Sequence, residues 1–306
     1  MLTSKSAALF TPLFNQAYPR GSQVFIDLVN ENVQLALAED IGDGDLTAAL
    51  IPANQQATAT IISRENAVIC GIDWANACFK QIDKNAQIKW HVNEGDKIVA
   101  NQILCEIAGN ARALLSAERC ALNFLQSLSS VATQTREYVD AIAGTNSLVC
   151  DTRKTLPCLR LAQKYAVTVG GGANQRLALY DGILIKENHI AAAGSIHTAL
   201  SHAQKMHTNA KNKNISIQIE VENLDELQQA LAANATSILL DNFTLAEMRE
   251  AVKINSQLKH GRALLEASGN VNLQTVRDIA ETGVDRISIG SLTKNIRAID
   301  LSMRIK

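Results

Sequence analysis

Between residues 147 and 290, short apolar runs recur that end in an acidic, polar or glycine residue, most of them leading into helix-forming sequence. No other feature of the chain narrows its fold as far. The runs are Ser147–Cys150, Gly182–Ile185, Ile215–Val221, Ser237–Leu240, Ala263–Leu265 and Arg286–Ile289. Their hydrophobicity is continuous rather than alternating, which is the pattern of parallel strands covered on both faces. Strand then helix, repeated this often with functional residue types at the strand ends, predicts a TIM-like α/β barrel. Caps support the intervening helices: Asn223 precedes Leu-Asp-Glu-Leu, and Thr244 with Glu247 forms a capping-box pattern. Six strands can be counted where a closed barrel has about eight. Either the barrel is incomplete or two strands escape the pattern.

The sequence before residue 107 reads differently. Ala57–Ile62, Ala67–Cys70, Ile88–Val92, Lys97–Val99 and Ile103–Ile107 are short strands of period two, with a turn at Asn93-Glu-Gly-Asp96. The stretch EGDKIVANQILCEI resembles half of a lipoyl-type hairpin, but no attachment-site lysine between methionines follows, so a swinging-arm carrier is rejected. Ser116 is then expected to cap a long amphipathic helix with Glu118 in its first turn and apolar residues at 121, 124, 125, 128, 131, 138, 139 and 142. Arg119 lies off that stripe and is expected to face solvent.

Composition excludes several classes. The 306 residues are 47% hydrophobic with a net charge of −1, enough for a large core and without the broad basic face that nucleic acid requires. Aromatics are only 4%, too few for base-stacking platforms. No apolar run reaches the roughly 20 residues of a membrane span. Near the N-terminus Lys5 and Ala-Ala-Leu-Phe are cut short by Pro12, so no secretory signal is expected. The six cysteines form no Cys-x-x-Cys pair and mostly sit in apolar runs, as reduced thiols of a cytoplasmic protein do. Cys158, after a proline, is the exception.

Six cations crowd the segment from Asp151 to His189: Arg153, Lys154, Arg160, Lys164, Arg176 and Lys186. A local basic cluster in a neutral protein suits a compact anion such as a phosphate or small carboxylate. Arg153, Lys154 and Lys186 follow strand-like runs, and strand ends open into the mouth of an α/β barrel. Ser268-Gly269-Asn270 and Gly290-Ser291 end the last two strands, where such barrels bind phosphate. Glu220 and Asp241 end adjacent strands, and carboxylates facing phosphates call for a divalent cation, Mg²⁺. Pairing of these acids with nearby lysines is the competing reading. His189, a lone histidine, reads as a structural group, and the six histidines show no zinc pattern.

Eight stretches in order then resemble quinolinate phosphoribosyltransferases: ERCALNFLQSLSSVAT (118–133), DTRKT (151–155), KYAV with GGG-x-N-x-R (164–176), LIKENH (184–189), EVEN (220–223), LLDN (239–242), EASG (266–269) and GSLTKN (290–295). The resemblance implies a pentosyltransferase, a nicotinate-nucleotide diphosphorylase that joins quinolinate to phosphoribosyl diphosphate and releases diphosphate and CO2 in NAD biosynthesis. It implies an N-terminal α/β sandwich domain over residues 21–126, rejoined by 293–306, and an incomplete TIM-like barrel over 127–292. It also implies a homodimer or larger homo-oligomer with shared sites, and neither nucleic acid nor membrane as a partner. By motif, Arg119, Arg153, Gln175, Arg176 and Lys186 would bind quinolinate. Lys154, Glu220, Asp241, Ser268, Gly269, Gly290 and Lys294 would bind phosphoribosyl diphosphate. Lys154, Lys186, Glu220 and Asp241 would carry catalysis, with Glu220 and Asp241 on Mg²⁺.

The sequence departs from the family pattern in places. Gln175 stands for the usual histidine of Gly-Gly-Gly-x-Asn-His-Arg, Cys158 for glycine, Val169 for cysteine and Ala178 for glycine. These bear on substrate affinity more than on reaction type. The alternatives are a related pyridine-acid phosphoribosyltransferase of drifted specificity, a degenerate anion-binding paralogue, and a Schiff-base aldolase using Lys154 or Lys186.

Overall fold

The structure, a computed structural model, describes residues 13–209, 215–258 and 261–306. The expectation that no secretory signal opens the chain falls on residues 1–12, outside those described. The chain forms two compact units. The first takes the chain through Arg136 with Thr155–Gly171 and Ser291–Lys306, and the second takes Glu137–Lys154 with Gly172–Gly290.

In the first unit, the helices α1 (Leu13–Ala17) and α2 (Gln23–Ile41) precede the strands β1 (Gln56–Ser63) and β2 (Ala67–Val68). Helix α3 (Ile72–Ile82), β3 (Gln87–Trp90), β4 (Lys97–Ile98), β5 (Ile103–Asn110) and helix α4 (Ala111–Ala141) follow. Ser22 caps α2, its hydroxyl accepting from the Phe25 amide. The period-two stretches pair as predicted. β1 runs antiparallel to β5, and β5 to β3, so Ala59 and Ile61 bury one face against Ile107 and Cys105. The last strand of the chain (Leu301–Ile305, β12 below) completes the order β12-β1-β5-β3.

Ser116 is not a cap. Strand β5 runs directly into α4 at Ala111, where the Asn110 side chain accepts from the Ala113 amide at 3.2 Å. Ser116 lies inside the helix and donates to Asp45 Oδ2 at 2.7 Å. The apolar stripe is as expected, with Ala121, Phe124, Leu125, Leu128, Val131, Tyr138 and Ile142 buried and Arg119 exposed. Five of the six cysteines are buried and none is in a disulfide. Burial pushes the Cys105 thiol up to about 12 and Cys120 to about 11, which leaves both as inert thiols. Native protein is therefore expected to show one fast-reacting thiol with an aromatic disulfide reagent, and Cys158→Ser to remove it.

The second unit is built on six strands: β6 (Leu148–Cys150), β7 (Gly182–Ile185), β8 (Ser216–Val221), β9 (Ser237–Asp241), β10 (Leu264–Ser268) and β11 (Arg286–Ser288). Every predicted run is a strand, every pairing is parallel, and the order is β6-β11-β10-β9-β8-β7. That order is cyclic in sequence with one pairing missing, between β6 and β7. The sheet is thus a barrel left open after its first strand, and only a single parallel bridge from Cys150 to Ala173 extends that edge. The chain thus combines the incomplete TIM-like barrel with a smaller sheet domain.

Helices α6 (Glu187–Ala193), α7 (Ile196–Asn209), α8 (Leu224–Ala232), α9 (Leu245–Ser256) and α10 (Val276–Ala280) follow successive strands; α5 (Arg160–Val169) and α11 (Ser291–Lys294) belong to the first unit. Asn223 and Thr244 cap α8 and α9 as their sequences predict. Register aligns the strands into apolar and polar rungs. Val221, Leu240, Ala267 and Ile287 form one apolar rung, while the neighbouring rung holds Glu220, Leu239, Glu266, Arg286 and Leu148. Three charged side chains on one rung are not ordinary core and need polar partners.

Candidate active site

The end of β6 fixes the first two cations. Asp151, fully buried, accepts from Asn174 Nδ2 at 2.7 Å and from the Gln175 amide at 2.9 Å, so the acid of the DTRKT motif clamps the 174–175 turn. Beyond it, the Arg153 Nε is buried without a hydrogen-bond partner. The Arg176 guanidinium is half-buried and donates to the Gly182 carbonyl at 3.0 Å. Burial first, and the charge of Arg153 second, pull the affinity of Arg176 for its proton below the ordinary value, with Asp181 opposing them. Arginine cannot give up that proton at any working pH, so two guanidinium groups that repel one another stand ready for an anion.

Backbone geometry orients this pair. Asp181 accepts from the amides of Leu177 and Ala178 at 2.6 and 2.8 Å, closing the loop that carries Arg176 back to β7. Gly182 is needed there, because a Cβ would come within 2.9 Å of Ser216 Oγ and 3.2 Å of Arg176 Cβ.

Lys186, at the end of β7, meets Glu220 of β8 at 2.6 Å. Glu220 is buried and Lys186 partly exposed, so the ammonium is the accessible half of the pair. His189 Nδ1 accepts from the Lys186 amide at 3.1 Å and thereby caps α6, the structural role its isolation suggested. At the next strand end, Asp241 Oδ2 accepts from Asn242 Nδ2 at 2.9 Å. The Asn242 amide donates to the Ser268 carbonyl at 2.9 Å, which ties the end of β9 to the end of β10. Asn242 and Gly269 both have positive φ, and a Cβ on Gly269 would collide with the Asn242 side chain and come within 3.1 Å of its Cα. At Gly290 a Cβ would sit 3.2 Å from Lys154 Cδ, so this glycine makes room for the Lys154 chain.

The second unit thus carries Arg153, Lys154, Lys186, Glu220, Asp241, Ser268, Gly269 and Gly290 at or just beyond the C-terminal ends of its strands, and Gln175 and Arg176 on the loop before β7, whereas Arg119 and Lys294 are carried by α4 and α11 of the first unit. The cationic segment is correspondingly divided. Arg160 and Lys164 lie on α5, where Arg160 Nε donates to Thr155 Oγ1 at 3.1 Å and Lys164 is fully buried. The triple glycine joins the units in sequence. A Cβ on Gly170 would meet the Ala132 carbonyl oxygen and Thr135 Cβ, each at 2.6 Å. Gly170→Ala is expected to destabilise the protein by about 3 kcal/mol, read as a lower denaturation midpoint, because helix backbone cannot yield as a side chain would.

Glu220 and Asp241 are the only carboxylates that sequence reasoning offered to a metal. No group of three His, Cys, Asp or Glu that could hold one is found among the described residues. One carboxylate from each of two adjacent strands would suit only an ion completed by substrate oxygens, not a protein cage. Sequence reasoning missed Gln218 and Glu266. Both are buried, and both bond to Gln175. The alternation of Gln218 with Glu220 along one strand was the available signal.

Comparison with known proteins gives the family. The model of the quinolinate phosphoribosyl transferase C-terminal domain matches residues 131–304, and that of the N-terminal domain residues 45–129. A probable nicotinate-nucleotide pyrophosphorylase [carboxylating] of Bacillus subtilis is 39% identical over 267 residues, covering 87% of this chain and 90% of its own. A mitochondrial quinolinate phosphoribosyltransferase [decarboxylating] of Nicotiana glauca is 37% identical, covering 90% and 82%. Among solved structures, the nicotinate-nucleotide pyrophosphorylase of Francisella tularensis superposes with a TM-score of 0.85 at 46% identity, covering 92% of this chain and 97% of its own. That of Ehrlichia chaffeensis does so at 0.82 and 40%, covering 90% and 98%. With both domain models matched in order and relatives aligned over nearly their whole length, the chain belongs to the quinolinate phosphoribosyltransferase family.

Proposed function

We infer that the chain transfers the phosphoribosyl group of phosphoribosyl diphosphate to quinolinate with decarboxylation, giving nicotinate mononucleotide, diphosphate and CO2 for NAD biosynthesis. The observation that carries this reading is the Arg153–Arg176 pair, two mutually repelling guanidinium groups with a buried Nε left unpartnered. A pyridine with adjacent carboxylates supplies planar bidentate acceptors that arginine matches better than lysine. Lys186 holds the second carboxylate, and Arg119 is contributed by a neighbouring subunit. Lys154, with space kept for it by Gly290, faces the diphosphate. Ser268, Gly269 and Gly290 hold the 5′-phosphate.

The pyridine nitrogen attacks the anomeric carbon as the bond to diphosphate breaks. Positive charge grows on the ribose in that step, and the carboxylates of Glu220 and Asp241, placed by their hydroxyl contacts, favour it electrostatically. As CO2 departs, the electron pair of the ring–carboxylate bond stays on the ring carbon, stabilised by the positive charge of the adjacent pyridinium nitrogen, and that carbon then takes a proton from water. No protein nucleophile is required. Glu220 and Asp241 would hold Mg²⁺, which when bound neutralises the diphosphate so that it can leave. Their few protein donors suit an ion shared with substrate.

We also propose that the working form is a homodimer or larger homo-oligomer, and that the protein resides in the cytoplasm, as its free thiols favour. No helix among the described residues is long and apolar enough to cross a membrane. Purified protein given quinolinate, phosphoribosyl diphosphate and Mg²⁺ is expected to release CO2 in step with nicotinate mononucleotide. Chelation by EDTA should stop turnover and added Mg²⁺ restore it. Turnover of nicotinate with quinolinate untouched would overturn the assignment.

A further inference from the structure

The side chain of the residue that replaces the family histidine is bonded into a network of buried polar groups. Gln175 Nε2 donates to Gln218 Oε1 at 3.0 Å and to the two Glu266 carboxyl oxygens at 2.6 and 2.5 Å. Gln218 Nε2 also donates to Glu266 Oε2, at 3.1 Å. Gln175 Oε1 accepts from the amide of Arg176 at 3.1 Å, and the Gln175 amide is itself held by Asp151. This network sets the orientation of each side-chain amide, since reversing Gln175 would place its carbonyl against a carboxyl group. Both amide hydrogens of Gln175 are spent on buried acceptors. Glu266 has no exposed surface, so it can influence a bound molecule only through the groups it touches.

We propose that Gln175, anchored by Gln218 and Glu266, is a positioning residue for quinolinate: it holds the Arg176 peptide so that the guanidinium stands beside Arg153, and it does not touch the diacid. The inference rests on the quinolinate assignment above and deepens it. Gln218 and Glu266 become positioning residues for the same site. The polar rung of the barrel is then explained from within, because a buried carboxyl on β10 would be costly unless its hydrogen bonds served the mouth above it. A glutamine also makes the device indifferent to pH on its own side chain, whereas a histidine there could gain charge.

A swap of donor and acceptor separates positioning from contact. Quinolinate binding, measured by calorimetry on the full-length protein, is expected to weaken fivefold or more in Glu266→Gln and in Gln175→Met, with phosphoribosyl diphosphate affinity near the wild-type value. Gln175→Glu, which sets two carboxyl groups together, should weaken it further. The double variant Gln175→Glu/Glu266→Gln restores one donor and one acceptor in reversed polarity, with Oε1 still available to the Arg176 amide, and is expected to recover affinity to within threefold of wild type. A residue touching the diacid would give the opposite result, because a carboxylate at 175 repels it. Failure of the swap to recover affinity, or an unchanged Glu266→Gln, overturns the inference while the quinolinate assignment stands. Wild-type protein that binds phosphoribosyl diphosphate but no quinolinate overturns both.

Discussion

Alanine at Arg176 is expected to lower kcat/KM for quinolinate by about a thousandfold, with the KM for phosphoribosyl diphosphate changed less than about threefold. The magnitude follows from what the side chain offers. Two charge-assisted hydrogen bonds to a carboxylate at about 2 kcal/mol each give about 4 kcal/mol, and each 1.36 kcal/mol is about tenfold in rate. Arg153→Ala should behave alike, since its Nε has no partner in the protein to lose. Stability separates binding from folding here. Arg176→Ala gives up one bond to the Gly182 carbonyl but also relieves the repulsion from Arg153, so the melting temperature should move by no more than about 3 °C. Arg176→Lys keeps the charge without the fork and should recover about tenfold of the loss. Steady-state kinetics with each substrate varied in turn reads all of this. A fall shared equally between the two substrates would place Arg176 elsewhere than on the diacid.

The barrel was legible because buried parallel strands leave an unambiguous trace. Each predicted run, from Ser147–Cys150 to Arg286–Ile289, is a strand of the second unit, and counting six of them was already the correct description of an open barrel. The caps at Asn223 and Thr244 were legible for the same local reason, that a side chain three residues from its target needs no tertiary partner. The start of α4 was not. A strand that becomes a helix without a turn offers no punctuation, and Ser116, with a better partner in Asp45, only imitates a cap. The cationic segment was half legible. The strand-like runs before them placed Arg153, Lys154 and Lys186 at strand ends, as found, whereas Arg176 lies on the loop before β7; sequence adjacency says nothing of how a chain is divided, and α5 takes Arg160 and Lys164 into the first unit. Departures from the family pattern had physical content. Cys158 adopts φ of 63°, the left-handed backbone that the glycine of the family pattern would take without strain. Gln175 was readable as a hydrogen-bonding substitute for histidine, yet its direction was not, because Gln218 and Glu266 reach it across 43 and 91 residues.

Arg119→Ala is expected to abolish activity, and mixing it with a second inactive variant should bring activity back. The guanidinium is exposed on α4 of the first unit and makes no hydrogen bond or ion pair among the described residues, so its removal costs the fold nothing that would explain a dead enzyme. If a neighbouring copy presents Arg119 to the site, a variant lacking it and a variant lacking Arg176 are complementary. Random exchange of equal amounts leaves about half the dimers hybrid, and in each hybrid one of two sites carries both intact residues. About a quarter of wild-type activity should therefore return, as half of a half. The yield is diagnostic because no partial activity of either parent reaches it. A mixture whose subunits have exchanged, as shown by mass spectrometry of tagged chains, and that stays inactive would mean that each copy completes its own site.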